Sequence, residues 1–440
     1  MIDAVPDPSS TTRTDLADAM RADWNARARE DAHYYVAFGR KHQNDADFFE
    51  TGSEQVRGLE LELRRLDGER PFGAALEIGC GPGRLMRPLA RHFREIHGID
   101  VSDEMVARAR GNLRDTPNAY AHYAPDSNLD PVRDLSFDFI YSFAVFQHVP
   151  SHAVVMGYLR EAAALLQPGG ILRAQVNGLP ATGEDYTTWS GVRIEAVHLA
   201  EFAHTEGLDL LVLEGAGTQY LWVTLRKPQG VAQPPQTLRI DYVTNAFSGE
   251  RVAPISGRFA ALSAGVTGFG TEANLSDLTA TVDGIACTLT YLGPRQQAGV
   301  RQLNLLLPEG LASGLGELVL RHAAGAEARS VARLIPAPPV VIKLVAVTDG
   351  VNLSSGPRIV SGWLKLTVDE LADISQVEIR VAGAAAANVT AFRTDPRIPR
   401  WEINCRVPEA ILPGHANVDL LVNGRLVARQ PVEIVADANR

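Results

Sequence analysis

Hydrophobic residues follow a helical period in the first part of the chain. From Thr14 to about Leu66 they recur at spacings of three and four, most clearly in DLADAMRADWNARAREDAHYYVAFG. From Ala74 to Lys227, short apolar runs alternate with amphipathic stretches, as a largely parallel sheet with covering helices requires. The pattern therefore predicts a helical segment followed by an α/β domain.

The α/β part predicts five strands, four helices and a final pair of strands. The strands are expected at 74–78, 95–100, 119–123, 137–143 and 170–177, and the helices at 83–93, 103–113, 151–167 and 194–206. Pro168, Gly169 and Gly170 are expected to end the third of these helices. The segment 208–227 predicts two strands joined by a short glycine-bearing turn, hence an antiparallel hairpin.

The composition changes after a linker rich in proline and glutamine at 228–236. From there to the C-terminus, short β-branched runs alternate with turn residues, and the segment repeats itself at an offset of about 100 residues. Residues 241–259 match 346–364, and residues 307–325 match 407–424. This length is typical of an immunoglobulin-like sandwich, so we expect two tandem all-β domains that meet near 335–339.

These patterns divide the chain into four units. We expect an N-terminal helical segment at 1–70, an α/β domain at 71–228, and two β-sandwiches at 229–338 and 339–440. If the linker separates independent domains, a chain truncated after Lys227 should remain folded and keep any ligand that its α/β domain binds.

Composition and charge narrow the class of protein. The chain has 440 residues, 45% of them hydrophobic and 21% charged, and a net charge of -10, which disfavours a nucleic-acid partner. Its N-terminus has acids and prolines where a secretory signal needs a basic segment and an apolar core, and no membrane span is expected. Cys80, Cys287 and Cys405 lie far apart without metal-site spacing. We therefore expect a cytoplasmic protein with no structural metal.

A glycine-dense turn carries the first chemical signal. Residues 77–84 are EIGCGPGR, directly after the apolar run AAL, and Asp100 ends the next apolar run. A strand that feeds such a turn into a helix brings bare backbone N–H groups to a ligand, and an acid about 20 residues later suits a ribose. The spacing G-x-G-x-G differs from the G-x-G-x-x-G of dinucleotide sites, which favours a mononucleoside cofactor over NAD.

The same segment resembles motif I of the class I S-adenosylmethionine-dependent methyltransferases. The resemblance continues through GIDVSDEMVARAR at 98–110, FDFIYSFAVFQHVP at 137–150 and LLQPGGILRAQVNG at 165–178. It implies a Rossmann-like fold over residues 20–227, with a seven-stranded sheet that ends in an antiparallel hairpin, and S-adenosylmethionine as the cofactor. The first β-sandwich, with VTNAFSG and NLLLPEGL, is similar to IPT/TIG-like modules of bacterial proteins.

The resemblance also implies a cofactor site, residue by residue. Glu77 with the backbone of Gly79 and Gly81 should hold the methionine portion, and Asp100 the ribose hydroxyls. Asp126 matches the acid that accepts from the adenine amino group, although Pro125 replaces the usual glycine before it and Asp130 lies close by. The remaining candidates are Cys80 and Gly83 in the turn, Val101, Met105, Ser127 and Leu129 around the adenine, and Ser142 and Phe143 beneath the methionine.

The acceptor side is predicted from the ends of the fourth and fifth strands. Methyltransferases of this fold that act on amide or base nitrogens carry an asparagine or aspartate followed by two prolines at the end of the fourth strand. This chain has YSFAVFQHV there, so an oxygen or carbon acceptor is favoured. Gln147 and His148 would then be catalytic, His148 as a general base, although histidine is also a common turn residue at this position. Expected acceptor contacts are Gln175, Asn177, Trp189, Arg193 and Tyr35.

Two further groups of residues have open roles. The helices before motif I close over the cofactor in many class I methyltransferases, so Trp24, Arg27, Tyr34 and Tyr35 are expected either in a lid or in packing. In the second sandwich, Trp363 and Trp401 are expected either to pack in the core or to contact a sugar or a protein.

Three functions are consistent with the sequence. The first is methyl transfer to a hydroxyl or carbon of a sugar, glycan or secondary metabolite, with the sandwiches recognising the substrate, recruiting a protein partner or forming a homodimer. The second is a binding or scaffold protein that keeps a relic of the methyltransferase fold. The third, an NAD-dependent oxidoreductase, is disfavoured by the glycine spacing and the terminal hairpin.

Overall fold

The computed structural model describes residues 13–37, 41–181, 186–230, 235, 237–270, 273–393 and 399–435. Residues 1–12 of the predicted N-terminal segment and residues 231–234 and 236 of the predicted linker lie outside this description. No described helix is both long enough and apolar enough to cross a membrane.

Among the described residues, seven α-helices and seven strands build the first half of the chain. The helices are α1 Arg13–Val36, α2 Asp45–Gly58, α3 Glu60–Leu63, α4 Met86–Leu89, α5 Asp103–Asn112, α6 His152–Leu165 and α7 Ala196–Thr205. The strands are β1 Phe72–Ile78, β2 Phe93–Asp100, β3 Ala119–Tyr123, β4 Phe137–Ser142, β5 Leu166–Val176, β6 Asp209–Glu214 and β7 Leu221–Arg226.

These strands form the predicted Rossmann-like sheet in the order β3-β2-β1-β4-β5-β7-β6. The first five strands are parallel, whereas β7 is antiparallel to both β5 and β6. The antiparallel end of the sheet is thus confirmed. The strand order reverses at β1, which has β2 on one side and β4 on the other, and ligands of open α/β sheets bind outside the carboxyl ends of the strands at such a point.

Two local expectations differ from the structure, and the first helix has a kink. The helix expected at 83–93 is only α4, because Gly81 and Gly83 have φ of +52° and +85° and β2 already starts at Phe93. Pro168, Gly169 and Gly170 do not end a helix, since α6 stops at Leu165 and these residues belong to β5. Helix α1 is kinked at Asp31, whose side chain accepts a hydrogen bond from the Tyr34 N–H.

The second half of the chain consists of strands and short turns. Its strands are β8 Arg239–Asn245, β9 Ala253–Pro254, β10 Ala261–Thr267, β11 Leu278–Val282, β12 Ile285–Leu292, β13 Arg301–Leu306, β14 Gly314–His322 and β15 Glu327–Ile335, then β16 Lys343–Asp349, β17 Arg358–Ile359, β18 Trp363–Asp369, β19 Val377–Val381, β20 Ala384–Ala385, β21 Ala387–Arg393, β22 Arg400–Arg406, β23 Gly414–Val422 and β24 Arg425–Ile434. We refer to β8–β15 as the first β-unit and to β16–β24 as the second β-unit.

The predicted repeat is visible in the strand pairing of the two β-units. The order β16-β18-β22-β21 of the second unit matches the pairing of β8, β10, β13 and β12 in the first. Each unit also has a two-residue strand parallel to its last strand, β9 beside β15 and β17 beside β24. In the second unit, the two sheets enclose their own apolar core.

The two β-units relate differently to the α/β part. The first unit continues its sheet, because Tyr291 of β12 pairs with Val212 of β6, and one apolar core extends through both. The buried Arg65 adds a hydrogen bond to the carbonyl of Leu292 at 2.7 Å. The second unit docks through polar contacts, including the Gln219 N–H to the Arg393 carbonyl at 3.0 Å. It therefore lies against the α/β part with a core of its own.

Candidate active site

A cavity of about 1330 Å³ lies at the carboxyl ends of β1, β2 and β4. Its walls come from α1, the turn after β1, the ends of β2 and β4, the chain after β5, the β6–β7 turn and the second β-unit. Pockets for one small ligand usually measure about 300–1,000 Å³. The cavity therefore has room for a nucleoside and a second molecule together.

The glycine turn forms part of the floor of this cavity, but its first amides are not bare. The N–H groups of Gly79 and Cys80 both donate to the Ile99 carbonyl at 2.9 Å. The Gly81 N–H donates to Asp100 Oδ2 at 2.9 Å. The expectation of free backbone donors is thus wrong for these three residues, because β2 uses their N–H groups to fix the shape of the turn.

Glu77 ends β1 as a buried acceptor with one oxygen unpaired. Its side chain is 5% exposed, and Oε2 has no hydrogen-bond partner among the described residues. Burial raises the pKa of Glu77 to about 8; the charge of Arg84 lowers it and that of Asp100 raises it further. A buried acceptor without a donor is unfavourable, so Glu77 is suited to a ligand that brings N–H groups.

Asp100 lies beside the turn at the end of β2. Its Oδ1 accepts from the Ser102 N–H and its Oδ2 from the Gly81 N–H, both at 2.9 Å. Burial raises the pKa of Asp100 to about 6 despite these hydrogen bonds. Since each carboxylate oxygen has a second lone pair, Asp100 can still accept from two hydroxyl groups.

The other predicted cofactor residues divide into two groups. Those that line the cavity are Cys80, Val101, Met105 and Phe143, besides Glu77, Gly79, Gly81 and Asp100. Those outside its lining are Gly83, Asp126, Ser127, Leu129 and Ser142. Asp126 is exposed and Ser142 donates to the Ile78 carbonyl at 3.2 Å, while a side chain on Gly83 would meet Leu113. The structure therefore does not place Asp126 where it would contact a ligand in this cavity.

A chain of amides fixes the ring of His148 in the cavity wall. The Trp189 carbonyl lies 3.2 Å from Nδ1 of His148, and because a carbonyl only accepts, Nδ1 carries the hydrogen. Nε2 of the neutral ring is then an acceptor, and Gln147 Nε2 lies 3.3 Å from it. Gln175, which is fully buried, donates to Gln147 Oε1 at 3.1 Å. The predicted pair Gln147 and His148 thus belongs to one network with Gln175 behind it.

Aromatic rings surround His148 on the side of α1. Trp24 and Trp189 lie with ring centroids 5.5 and 5.8 Å from its imidazole. The Arg27 guanidinium lies over three rings, at 4.7 Å from Trp24, 5.1 Å from Trp189 and 5.7 Å from Tyr35. Burial, aided by the charge of Arg27, lowers the pKa of His148 to about 4, so the ring is neutral at physiological pH.

The predicted acceptor residues have mixed placements. Tyr35, Asn177, Trp189 and Arg193 line the cavity. Gln175 lies behind the lining, where its side chain binds Gln147, the Ala144 N–H and the Gln219 carbonyl. The Asn177 side chain also holds local backbone, since it donates to the Ser190 carbonyl and accepts from the Leu179 N–H.

One group of lining residues lies in the second β-unit and could not be predicted from the sequence. They are Lys365, Thr390, Phe392, Glu402 and Asn404, which join Trp363. Within the described ranges, no group of three or more His, Cys, Asp or Glu side chains is arranged to hold a metal ion.

Comparison with known proteins identifies the α/β part. Residues 76–174 match the family model described as "Methyltransferase domain". This segment runs from the end of β1 through β5 and contains the glycine turn, Asp100 and His148. The chain therefore carries a methyltransferase domain at residues 76–174.

Several curated proteins are similar to this part of the chain. A trans-aconitate 2-methyltransferase of Deinococcus radiodurans is 30% identical over 169 residues, 36% of this chain and 62% of that protein. A ubiquinone biosynthesis O-methyltransferase of Paramagnetospirillum magneticum is 40% identical over 106 residues, 23% of this chain and 40% of that protein. The chain thus covers less than two thirds of the length of either relative.

A third relative and one solved structure extend the comparison. A malonyl-[acyl-carrier protein] O-methyltransferase of Enterobacter lignolyticus is 28% identical over 195 residues, 44% of this chain and 72% of that protein. A phosphoethanolamine N-methyltransferase 1 of Haemonchus contortus, solved with phosphoethanolamine and S-adenosylhomocysteine, is 14% identical with a TM-score of 0.39, over 51% of this chain and 52% of that one.

Proposed function

We propose that this chain, through the methyltransferase domain at 76–174, transfers a methyl group from S-adenosylmethionine to a hydroxyl group of its acceptor. The observation that carries the proposal is one cavity that joins the carboxylates of Glu77 and Asp100 to an oriented, neutral His148. Two relatives are named as O-methyltransferases, one of ubiquinone biosynthesis and one of malonyl-[acyl-carrier protein], which also supports an oxygen acceptor.

The residues of the floor fit the cofactor. The unpaired Oε2 of Glu77 would accept from the ammonium group of its methionine portion, and Asp100 would accept from its ribose hydroxyls. Val101 and Met105 offer apolar contacts for the base, and Met105 is packed beneath α1. When bound, S-adenosylmethionine supplies an electrophilic methyl group on a sulfonium sulfur.

His148 would act as the general base for the acceptor. Its Nε2 lone pair, set by the Nδ1–H bond to the Trp189 carbonyl, would accept the hydroxyl proton. The 3.3 Å contact from Gln147 is long for a hydrogen bond, so the acceptor hydroxyl can compete for Nε2. Positioned proton transfer of this kind contributes roughly 10²–10⁴-fold to a rate.

We further propose the same division of the chain as the sequence suggests. Residues 1–70 would provide a helical lid, 71–228 the methyltransferase domain, and 229–338 and 339–440 two immunoglobulin-like sandwiches that recognise the acceptor or a protein partner, or that form a homodimer. A cytoplasmic location fits the three cysteines, none of which forms a disulfide.

Two experiments test this function. Calorimetry with S-adenosylhomocysteine and with NADH separates a methyltransferase from an oxidoreductase, and binding of neither compound would favour the scaffold role. Cell extracts are then incubated with the protein and methyl-labelled S-adenosylmethionine, and labelled products are identified by mass. Cofactor binding without any labelled product would contradict the proposed transfer.

A further inference from the structure

The sheet β16-β18-β22-β21 has one apolar and one polar face. In β18, Leu364, Leu366 and Val368 are fully buried in the core of the second β-unit, so Trp363 and Lys365 point to the opposite face. The cross-strand register extends that face to the neighbouring strands. Asn404 lies opposite Lys365, Glu402 opposite Thr367, and Phe392 opposite Glu402.

This polar face closes the cavity of the methyltransferase domain from above. Trp363, Lys365, Phe392, Glu402 and Asn404 line the cavity whose floor contains the glycine turn. We refer to these five residues as the roof. Its position is fixed nearby by the hydrogen bond between the Gln219 N–H and the Arg393 carbonyl at 3.0 Å.

Two tyrosines that line the cavity lie close enough to the second β-unit for its carboxylates to affect their pKa. Burial, with a contribution from the charge of Glu402, raises the pKa of Tyr220 to about 12. Burial also raises the pKa of Tyr34 to about 12, with smaller contributions from Tyr35 and from Asp349 of β16. Both tyrosines line the cavity, so the roof and the floor belong to one enclosed space.

The roof presents a neutral set of donors and acceptors beside aromatic rings. Lys365 and Glu402 form an ion pair, and their side chains are only 13% and 20% exposed. A carboxylate held partly away from water gains from hydrogen bonds in addition to its ion pair. The Glu402 carboxylate keeps further lone pairs, and Asn404 adds an amide that can both donate and accept.

Hydroxyl groups match this set, because each of them both donates and accepts. A pyranose ring also presents a face of C–H groups that can lie against a flat indole such as that of Trp363. A phosphate or carboxylate would meet Glu402 as a like charge, which disfavours an anionic ligand at the roof. Trp401 is less suited to contact a ligand, since it packs on the core and donates through Nε1 to the Leu371 carbonyl at 2.9 Å.

We infer that the roof is the acceptor-binding wall of the cavity and that it takes a neutral, polyhydroxylated ligand, a sugar residue. The inference rests on the proposed methyl transfer, because it assigns the acceptor of the same cavity. It gives the second β-unit a direct part in the site, in place of a role as a spacer.

The test uses the full chain and a defined set of probes. Saturation-transfer NMR is recorded with methyl α- and β-glycosides of the common hexoses, and with hexose phosphates for comparison, in the presence of S-adenosylhomocysteine. We expect signals from at least one neutral glycoside and none from the phosphates. Trp363→Ala and Glu402→Gln should each weaken that binding at least about tenfold, while calorimetry shows S-adenosylhomocysteine bound as tightly as by the unmodified chain.

Controls make the outcome decisive. Thr367→Ala changes the same face of β18 outside the cavity lining and should leave both affinities unchanged. If Trp363→Ala fails to fold, Phe392→Ala replaces it. Glycoside binding that the roof variants leave intact, or stronger binding of the phosphates, would overturn the inference while the methyltransferase function stands. A chain that binds glycosides but not S-adenosylhomocysteine would instead overturn the proposed function.

Discussion

Glu77 is suited to binding the cofactor, but it lowers the free energy of unfolding of the ligand-free protein. Its pKa of about 8 in the folded chain exceeds the ordinary value near 4.5 because of burial. Between these values the folded state holds a proton that the unfolded chain has released, so this group lowers stability as the pH rises through that window. The unpaired oxygen that suits a ligand therefore destabilises the chain without one.

Glu77→Gln should stabilise the ligand-free protein and abolish tight cofactor binding. We expect a gain of roughly 1–3 kcal/mol in unfolding free energy near pH 8 and little gain near pH 5, because the amide cannot ionise. Thermal unfolding of both proteins at the two pH values measures the difference. Glu54→Gln, on the exposed side of α2, serves as the control. A variant less stable than the unmodified chain near pH 8 would contradict the assigned protonation.

Asp100→Asn should weaken S-adenosylhomocysteine binding by roughly 1–3 kcal/mol, or about 5–150-fold. The amide nitrogen cannot accept, so one of the Gly81 and Ser102 N–H groups loses its partner as well. Calorimetry measures the affinity. Asp126→Asn is the matched control, since Asp126 is exposed and outside the cavity lining. A loss of affinity in that control would restore the predicted adenine role of Asp126.

His148→Ala should reduce the rate roughly 10²–10⁴-fold with the acceptor found by labelling, and leave S-adenosylhomocysteine binding intact. Because the pKa of His148 is about 4, the ring is already neutral at pH 6, and the rate should not change between about pH 6 and pH 8 through this group. A pH profile of kcat/KM measures this. An inflection near 6.5 that disappears in the variant would show a solvated, ordinary histidine.

The positions of the site residues in the motifs could be predicted from the sequence, but those of the residues in irregular loops could not. Glu77 and Asp100 lie at the carboxyl ends of β1 and β2, and His148 follows β4, so their place at one edge of the sheet follows from the fold. Asp126 follows β3 in an irregular loop, where Ser127 has a φ of +53°. The direction of a side chain in such a loop depends on local turns that a periodic pattern does not encode.

Among the elements, those with a clear period were predicted best. Strands β1 to β4 begin within two residues of their expected starts, because buried parallel strands are continuous apolar runs. The helix after the glycine turn was predicted too long, since its sequence is apolar and amphipathic although Gly83 has a positive φ. Glycine adopts positive and negative φ about equally well, so its presence in the sequence does not show which of the two the backbone has.

Helix α1 is an element whose docking can be loosened on its own. Asn25 is buried and holds α1 to α5, accepting from the Ser102 hydroxyl at 2.6 Å and donating to Asp103 at 2.7 Å. Asn25→Ala should cost roughly 1–3 kcal/mol of this docking, because Asp103 and Ser102 lose their partner. Hydrogen exchange should be faster in residues 13–36 and unchanged in β1 and β4. Uniformly faster exchange would mean that α1 is part of the global folding unit.

For the whole molecule, the two β-units should differ on truncation. A chain ending near residue 338 should remain folded and bind S-adenosylhomocysteine, because the second β-unit has a separate core. A chain ending after Lys227 should aggregate, since it exposes the apolar surface shared with the first β-unit and removes the Leu292 carbonyl from the buried Arg65. Gel filtration and calorimetry measure both. A soluble, binding-competent short chain would restore the independence that the linker suggested.

This arrangement could not be read from the sequence. The repeat and the turn residues predicted two β-units, but a single residue pair, Tyr291 with Val212, joins the sheets. The place of the roof over the cavity could not be predicted either. Lys365, Glu402 and Asn404 alternate with apolar residues, as polar residues do in any sheet with one face exposed to solvent. Which faces of two domains meet depends on their shapes, and local periodicity carries no such information.

The roof and the floor of the cavity come from distant parts of the polypeptide, and this has a consequence for biosynthesis. The ribosome releases the glycine turn and Asp100 long before β18 and β22. A nascent chain, or a chain cleaved by a protease between the β-units, would then bind S-adenosylmethionine while it still lacks the roof. Under the proposed function, modification of sugars would then begin only after β18 and β22 have been synthesised and folded.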